Sequence, residues 1–194
     1  MKQRPGQPDM KTLLAELAFR RSEALKMGGE EAVARQHGAG RLTVRERIAA
    51  LGDDGSFREL GGLTGAGQYD DAGAVQSVTP APYVGGTVEI DGRPVVIGGE
   101  DFTVRGGTTF SAPRRKGGQG GLVEDFAFHY RLPLINLIDG AGGSVASIEK
   151  RRHAVLPGVH GFERSVSLLG QSPVVSAVLG TAAGGPAGRA ILSH

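Results

Sequence analysis

Two short apolar runs, 134–138 (LINLI) and 174–179 (VVSAVL), constrain this chain more than any other feature. Neither alternates apolar with polar residues, which is the pattern of a strand covered on both faces. The segment between them, 155–170, contains a helix. A strand–helix–strand unit of this kind returns parallel and right-handed. Each run empties into glycine: 139-DGAGGS-144 follows the first and 180-GTAAGGPAG-188 the second. In open α/β sheets, ligands sit beyond the carboxyl ends of the strands. Two such loops side by side mark the candidate site.

Glycine there lets a substrate oxygen approach bare backbone N–H groups. Two converging amides form an oxyanion hole, which stabilises developing negative charge without any side chain. Pro186, just after Gly185, suits the first turn of a helix, whose positive end would point at the same place. Any single Gly-Gly pair is more simply a tight strand-to-helix turn. The pairing of two on adjacent parallel strands brings the functional reading level with that one.

The rest of the chain reads as follows. Residues 1–9 form a polar tail, 10–27 a helix ended by Gly28-Gly29, and 30–36 a shorter helix. Thr43 and Glu46 have capping-box spacing at the head of a helix over 44–51 that stops at Gly52. Residues 56–60 are a short strand, and 61–82, rich in Gly, Asp, Ser and Pro, an irregular excursion. Strands over 83–90 and 93–98 are joined by Asp91-Gly92, a type I′ hairpin signal. Helices are expected over 122–131 and from 187 onward.

Other chemistries find little support. None of His37, His129, His153, His160 and His194 has metal-ligand spacing, and there is no G-x-S-x-G elbow or Walker A lysine. An enzyme built this way relies on backbone electrostatics. There is no cysteine, so disulfides and thiolate metal sites are excluded. The net charge of +2 and 5% aromatic content do not fit a nucleic-acid binder. No apolar run approaches the roughly 20 residues needed to cross a bilayer, and no signal-peptide core is present. The expected location is the cytoplasm. Two basic clusters, Arg114-Arg115-Lys116 and Lys150-Arg151-Arg152, are each most simply a solvated face. The alternative is that one meets the phosphates of a ligand.

The segment 40-GRLTVRERIAALGDDGSFREL-60 resembles the opening segment of acyl-CoA carboxylase β subunits, with their K-x-T-A-R-E-R-I and L-x-D-x-G-S-F-x-E motifs. Next, 86-GTVEIDGRPVVIGGEDFTVRGGT-108 is similar to the family's G-x-I-D-G-R-P-V and D-F-T-V-x-G-G-S. The resemblance covers about 11–194 and is closest to the propionyl-CoA carboxylase β type. It implies an α/β fold, the crotonase-like ββα spiral. Residues 1–38 would be a tail and helical arm, and 39–194 an amino-terminal acyl-CoA carboxyltransferase domain, incomplete at its carboxyl end. The family's subunits carry two such domains, and the site lies between the first domain of one subunit and the second of another. A helix cut at His194 would leave its apolar face unpartnered, so a fragment, inactive alone, is expected.

The resemblance also implies the chemistry. Biotin, carried on a partner protein as carboxybiotin, releases CO2. Its ureido oxygen removes the α-proton of an acyl-CoA thioester, and the enolate attacks CO2. Gly184 and Gly185 match the family's C-A-G-G, and Gly142 with Gly143 match its D-S-G-G-A-R loop; these are the implied oxyanion donors. Ala141, Ala183, Arg114, Arg115 and Lys116 are the implied acyl-CoA contacts. Gly184→Val is expected to abolish turnover and leave the fold intact. No metal is expected in this domain. The implied partners are a biotin carboxylase or biotin carrier subunit, a carboxyl-terminal carboxyltransferase domain, and further copies of the full-length chain. Several residues depart from the family: Ser144 stands where its loop has Arg, 117-GGQGG-121 where a helix with Lys is usual, and Pro186 where Ala is usual. Two other readings stay open: a biotin-dependent acyl-CoA decarboxylase subunit, and a non-catalytic CoA-binding fragment.

Overall fold

The computed structural model describes residues 9–108, 116–118, 121–143, 149, 152 and 162–194. Three helices come first: α1 (Met10–Leu25), α2 (Glu30–Gly38) and α3 (Val44–Leu51). Asp9 caps α1 by accepting from the Thr12 amide at 2.7 Å. Thr43 and Glu46 cap α3 reciprocally, as their spacing predicts.

A five-stranded sheet follows, with strand order β1-β4-β5-β6-β7. Its strands are β1 (Arg58–Glu59), β4 (Tyr83–Ile90), β5 (Arg93–Glu100), β6 (Leu134–Gly140) and β7 (Val174–Ala182). β1, β4 and β5 pair antiparallel, while β5, β6 and β7 run parallel. The β4–β5 turn has positive φ at both Asp91 and Gly92, as a type I′ turn requires. The Asp53 carboxylate accepts both of their amides, at 3.1 and 2.8 Å.

Side chains alternate across the sheet and build two cores. On one face Val84, Val88, Val95, Ile97 and Leu137 pack under Val44 and Ile48 of α3. On the other, Tyr83, Val96, Leu134 and Val174 pack with Val123 and Ala127 of α4 (Leu122–Tyr130) and Leu168 of α5 (Glu163–Leu169). A final helix, α6 (Gly185–Ile191), closes the described chain.

Three expectations need correction. Residues 61–82 are not irregular: β2 (Gly65–Tyr69) and β3 (Val75–Pro80) form a separate hairpin. Its strands are polar and half exposed, and Asp70 closes the turn by accepting the Ala72 and Ala74 amides. β7 is not covered on both faces. It is the edge of the sheet, and Val175, Val178 and Leu179 are exposed. α1 forms where the spacing predicts, yet Leu13, Leu14 and Leu25 remain exposed and only Ala24 is buried.

Candidate functional site

The parallel strands bring three bends to one end of the sheet. β5 leads into a 3₁₀ turn, Arg105–Gly107, whose Gly106 carbonyl accepts the Ala141 amide at 2.9 Å. β6 ends at Gly140, whose carbonyl accepts the Ala183 amide at 3.2 Å. The β6–β7 register shifts between Ile138 and Gly140, which pairs Gly140 with Ala182. The loops touch: a Cβ built on Gly142 would lie 2.5 Å from the Ala183 carbonyl oxygen, and one on Gly184 would lie 3.6 Å from the Gly142 Cα.

The four candidate donors, Gly142, Gly143, Gly184 and Gly185, are therefore brought together. Among the described residues, none accepts a hydrogen bond from any of their four amides. Gly143 and Gly184 are exposed, and Gly142 and Gly185 half-buried. Gly185 opens α6 with Pro186 behind it, and Gly184 is the N-cap. This places the positive end of a helix at the same spot.

Gly184 adopts φ 59° and ψ −122°, and Gly142 has φ 75°. A β-branched residue is strained at positive φ. Gly184→Val therefore cannot leave the local fold intact; it would re-aim the peptide that carries the donor.

Ala141 and Ala183 are exposed beside these glycines, but their amides are committed to Gly106 and Gly140. Whatever contact they offer a ligand comes from other atoms. Lys116 requires a correction. Its side chain is 5% exposed and its Nζ lies 2.5 Å from the Glu59 carboxylate, so it faces inward, away from any phosphate in solvent. Burial pushes the Lys116 ammonium below its usual pKa, and Glu59 offsets part of that shift. Glu59 also holds Arg45 at 2.9 Å. Arg114 and Arg115 lie outside the described residues, as do Ser144, Lys150, Arg151, His153 and His160. The described histidines serve elsewhere: His37 meets Glu46, His129 meets the Asp125 carbonyl, and His194 pairs with Val174.

The sequence reading took 139–144 as backbone only and missed the side chains beneath it. Asp139, fully buried, accepts from the Thr181 amide (3.0 Å), Gln36 Nε2 (3.2 Å) and Arg47 Nη2 (2.9 Å). One carboxylate thus ties β6, the second loop, α2 and α3 together. Beside it, buried Glu100 at the end of β5 accepts the Asp139 amide and pairs with buried Arg189 of α6. The available signal was a charged residue closing each apolar strand: Glu100 after VVIGG and Asp139 after LINLI.

Comparison with known proteins identifies the family and the fold. The family model described as carboxyl transferase domain matches residues 35–194. The chain is 35% identical over 177 residues to a propionyl-CoA carboxylase carboxyltransferase subunit of Haloferax mediterranei, covering 91% of this chain and 33% of that one. It is 36% identical over 174 residues to the biotin-dependent acetyl-/propionyl-coenzyme A carboxylase beta5 subunit of Mycobacterium tuberculosis, covering 89% and 30%. Among solved structures, transcarboxylase 12S with methylmalonyl-coenzyme A bound superposes with a TM-score of 0.71 at 26% identity, over 96% of this chain and 35% of that one. A single-chain, multi-domain long-chain acyl-CoA carboxylase gives 0.72 at 28%, over 97% and 19%. The fold is thus that of the crotonase-like carboxyltransferases. The chain spans about a third of the length of the curated relatives it matches.

Proposed function

Because the chain belongs to the carboxyl transferase domain family, we propose that it forms the acyl-CoA-binding half of a biotin-dependent carboxyltransferase acting on a propionyl-CoA-like thioester. The carrying observation is the set of amides, without an acceptor among the described residues, where two glycine loops touch. Carboxybiotin, borne by a partner, supplies the CO2 and the base for the α-proton.

The chain's own part is electrostatic. One amide from Gly142 or Gly143 and one from Gly184 or Gly185 hold the thioester oxygen. As the α C–H bond breaks, the electron pair moves into the C–O unit, and the charge on oxygen strengthens both hydrogen bonds. The α-carbon then forms its new bond to CO2, the C=O is restored, and a malonyl-type thioester leaves. Donors fixed in place before reaction need no reorganisation when charge develops, and losing one costs about a hundredfold or more in rate. The α6 N-terminus adds a positive potential at the same oxygen.

The relatives' greater length supports a site completed by a second carboxyltransferase domain, with turnover requiring both. The test is calorimetric titration of the chain with propionyl-CoA, then carboxyl transfer to biocytin after a carboxyl-terminal domain is added. Saturable binding is expected, with turnover lowered about a hundredfold by Gly184→Ala. Absence of saturable binding, or turnover indifferent to Gly184→Ala, overturns the assignment.

A further inference from the structure

We infer that the buried Glu100–Arg189 pair is a positioning device that aims the α6 amides at the thioester oxygen. This rests on the functional reading above.

Glu100 sits under all three bends. Its Oε2 accepts the Asp139 amide at 3.4 Å. A Cβ built on Gly107 would lie 2.7 Å from the Glu100 Cβ, and one on Gly140 would lie 2.8 Å from its Cγ. The same Gly140 Cβ would lie 2.9 Å from the Pro186 ring. The 3₁₀ turn, the first loop and the head of α6 therefore all close on this one side chain.

Arg189 reaches it from α6. It is 2% exposed, and its Nη2 donates to Glu100 Oε1. Its carbonyl accepts from Ser176 of β7 at 3.4 Å, and its guanidinium lies 5.8 Å from the Tyr83 ring centroid. Gly184 and Arg189 share one rigid helix, whose first bond runs from the Gly188 amide to the Gly184 carbonyl. Fixing Arg189 to Glu100 thus fixes the rotation of α6 against β5, and with it the direction of the Gly184 and Gly185 N–H groups.

Arg189 also offsets the charge of the buried Glu124 carboxylate, but stability gives no reason for a second carboxylate at Glu100. Replacing a buried pair with apolar residues is often neutral or stabilising. What an apolar pair lacks is direction: it packs with several rotations of α6, whereas a guanidinium–carboxylate bond accepts few. Among the described residues, Arg189 Nε and Nη1 are buried without hydrogen-bond partners, an arrangement that packing for stability would avoid.

The test is isotope-edited infrared spectroscopy of propionyl-CoA labelled with ¹³C at its carbonyl, bound to the full chain. Circular dichroism and thermal melts of each variant are recorded alongside. Two amides on the thioester oxygen polarise the C=O bond and move its stretch to lower frequency. In the double variant Glu100→Met/Arg189→Met, the fold is expected to persist at a lower melting temperature, because the buried Glu124 carboxylate loses its neighbouring cation, while most of that displacement is lost. Glu100→Gln keeps a polar partner for Arg189 and is expected to retain part of it. Three outcomes overturn the inference: a double variant with the full displacement, a double variant that does not fold, and a Glu100→Gln shift no different from that of the double variant. If the unmodified chain binds propionyl-CoA with no displacement at all, the oxyanion reading itself fails, which is a separate result.

Discussion

Gly142 and Gly143 are neighbours with opposite tolerances. A Cβ on Gly143 meets nothing within 4 Å, whereas Gly142 combines positive φ with contact against the opposite loop. The left-handed conformation alone costs an L-residue about 1–2 kcal/mol. Gly142→Ala is expected to lower the unfolding free energy by at least that amount, and Gly143→Ala to change it by less than about 0.5 kcal/mol. Urea titration of the two variants checks the contrast. Asp139 is the other decisive residue. Asp139→Ala would strand the 7%-exposed Arg47 without its carboxylate. Breaking a buried pair from one side costs about 3–5 kcal/mol. The variant is expected to unfold at markedly lower urea. Truncating both partners together, as Asp139→Ala/Arg47→Met, is expected to recover part of the loss.

Element by element, local chemistry was the most legible part. The α3 capping box, the Asp91-Gly92 turn and the β6 and β7 strands could be read because each depends on residues a few positions apart. The β2–β3 hairpin could not, since its strands bury too little for hydrophobic alternation to show. Nor could the buried side-chain pairings: Asp139, Glu100 and Lys116 find partners 39 to 103 positions away. The loop glycines were legible as a pair; the direction of their amides depends on contacts that no local pattern encodes. The α3 cap also carries a measurable acid dependence. The His37 ring and the Thr43 amide hold the Glu46 carboxyl at a pKa of about 2, below its usual 4.5. A carboxyl whose folded pKa is depressed contributes stability above its unfolded pKa and loses it as pH falls through the folded one. The contribution from Glu46 is thus expected to fade between about pH 4.5 and 2, and Glu46→Gln to flatten that part of the stability–pH curve. Thr43→Ala, which removes the side-chain cap, is expected to cost about 1 kcal/mol.

For the molecule as a whole, the sheet edge that β7 forms among the described residues matters most. β7 carries no charged residue and no proline, and it presents Val175 and Leu179 beside the core face of β6. Unprotected edges of this kind template pairing with other chains. The chain is expected to self-associate as its concentration rises, and Leu179→Lys to suppress this, as sedimentation velocity would show. No helix among the described residues is long and apolar enough to cross a membrane.

The reach of the Asp139 carboxylate also sets an order of events. Its bonds to Gln36 and Arg47 close stretches of 103 and 92 positions, whereas the β4–β5 turn closes over two residues. Contacts between distant positions form late, because chain entropy must be lost before they contribute. During refolding, amide protection should therefore arrive first in the hairpin and last around Thr181, so the proposed site matures only after the amino-terminal helices have docked.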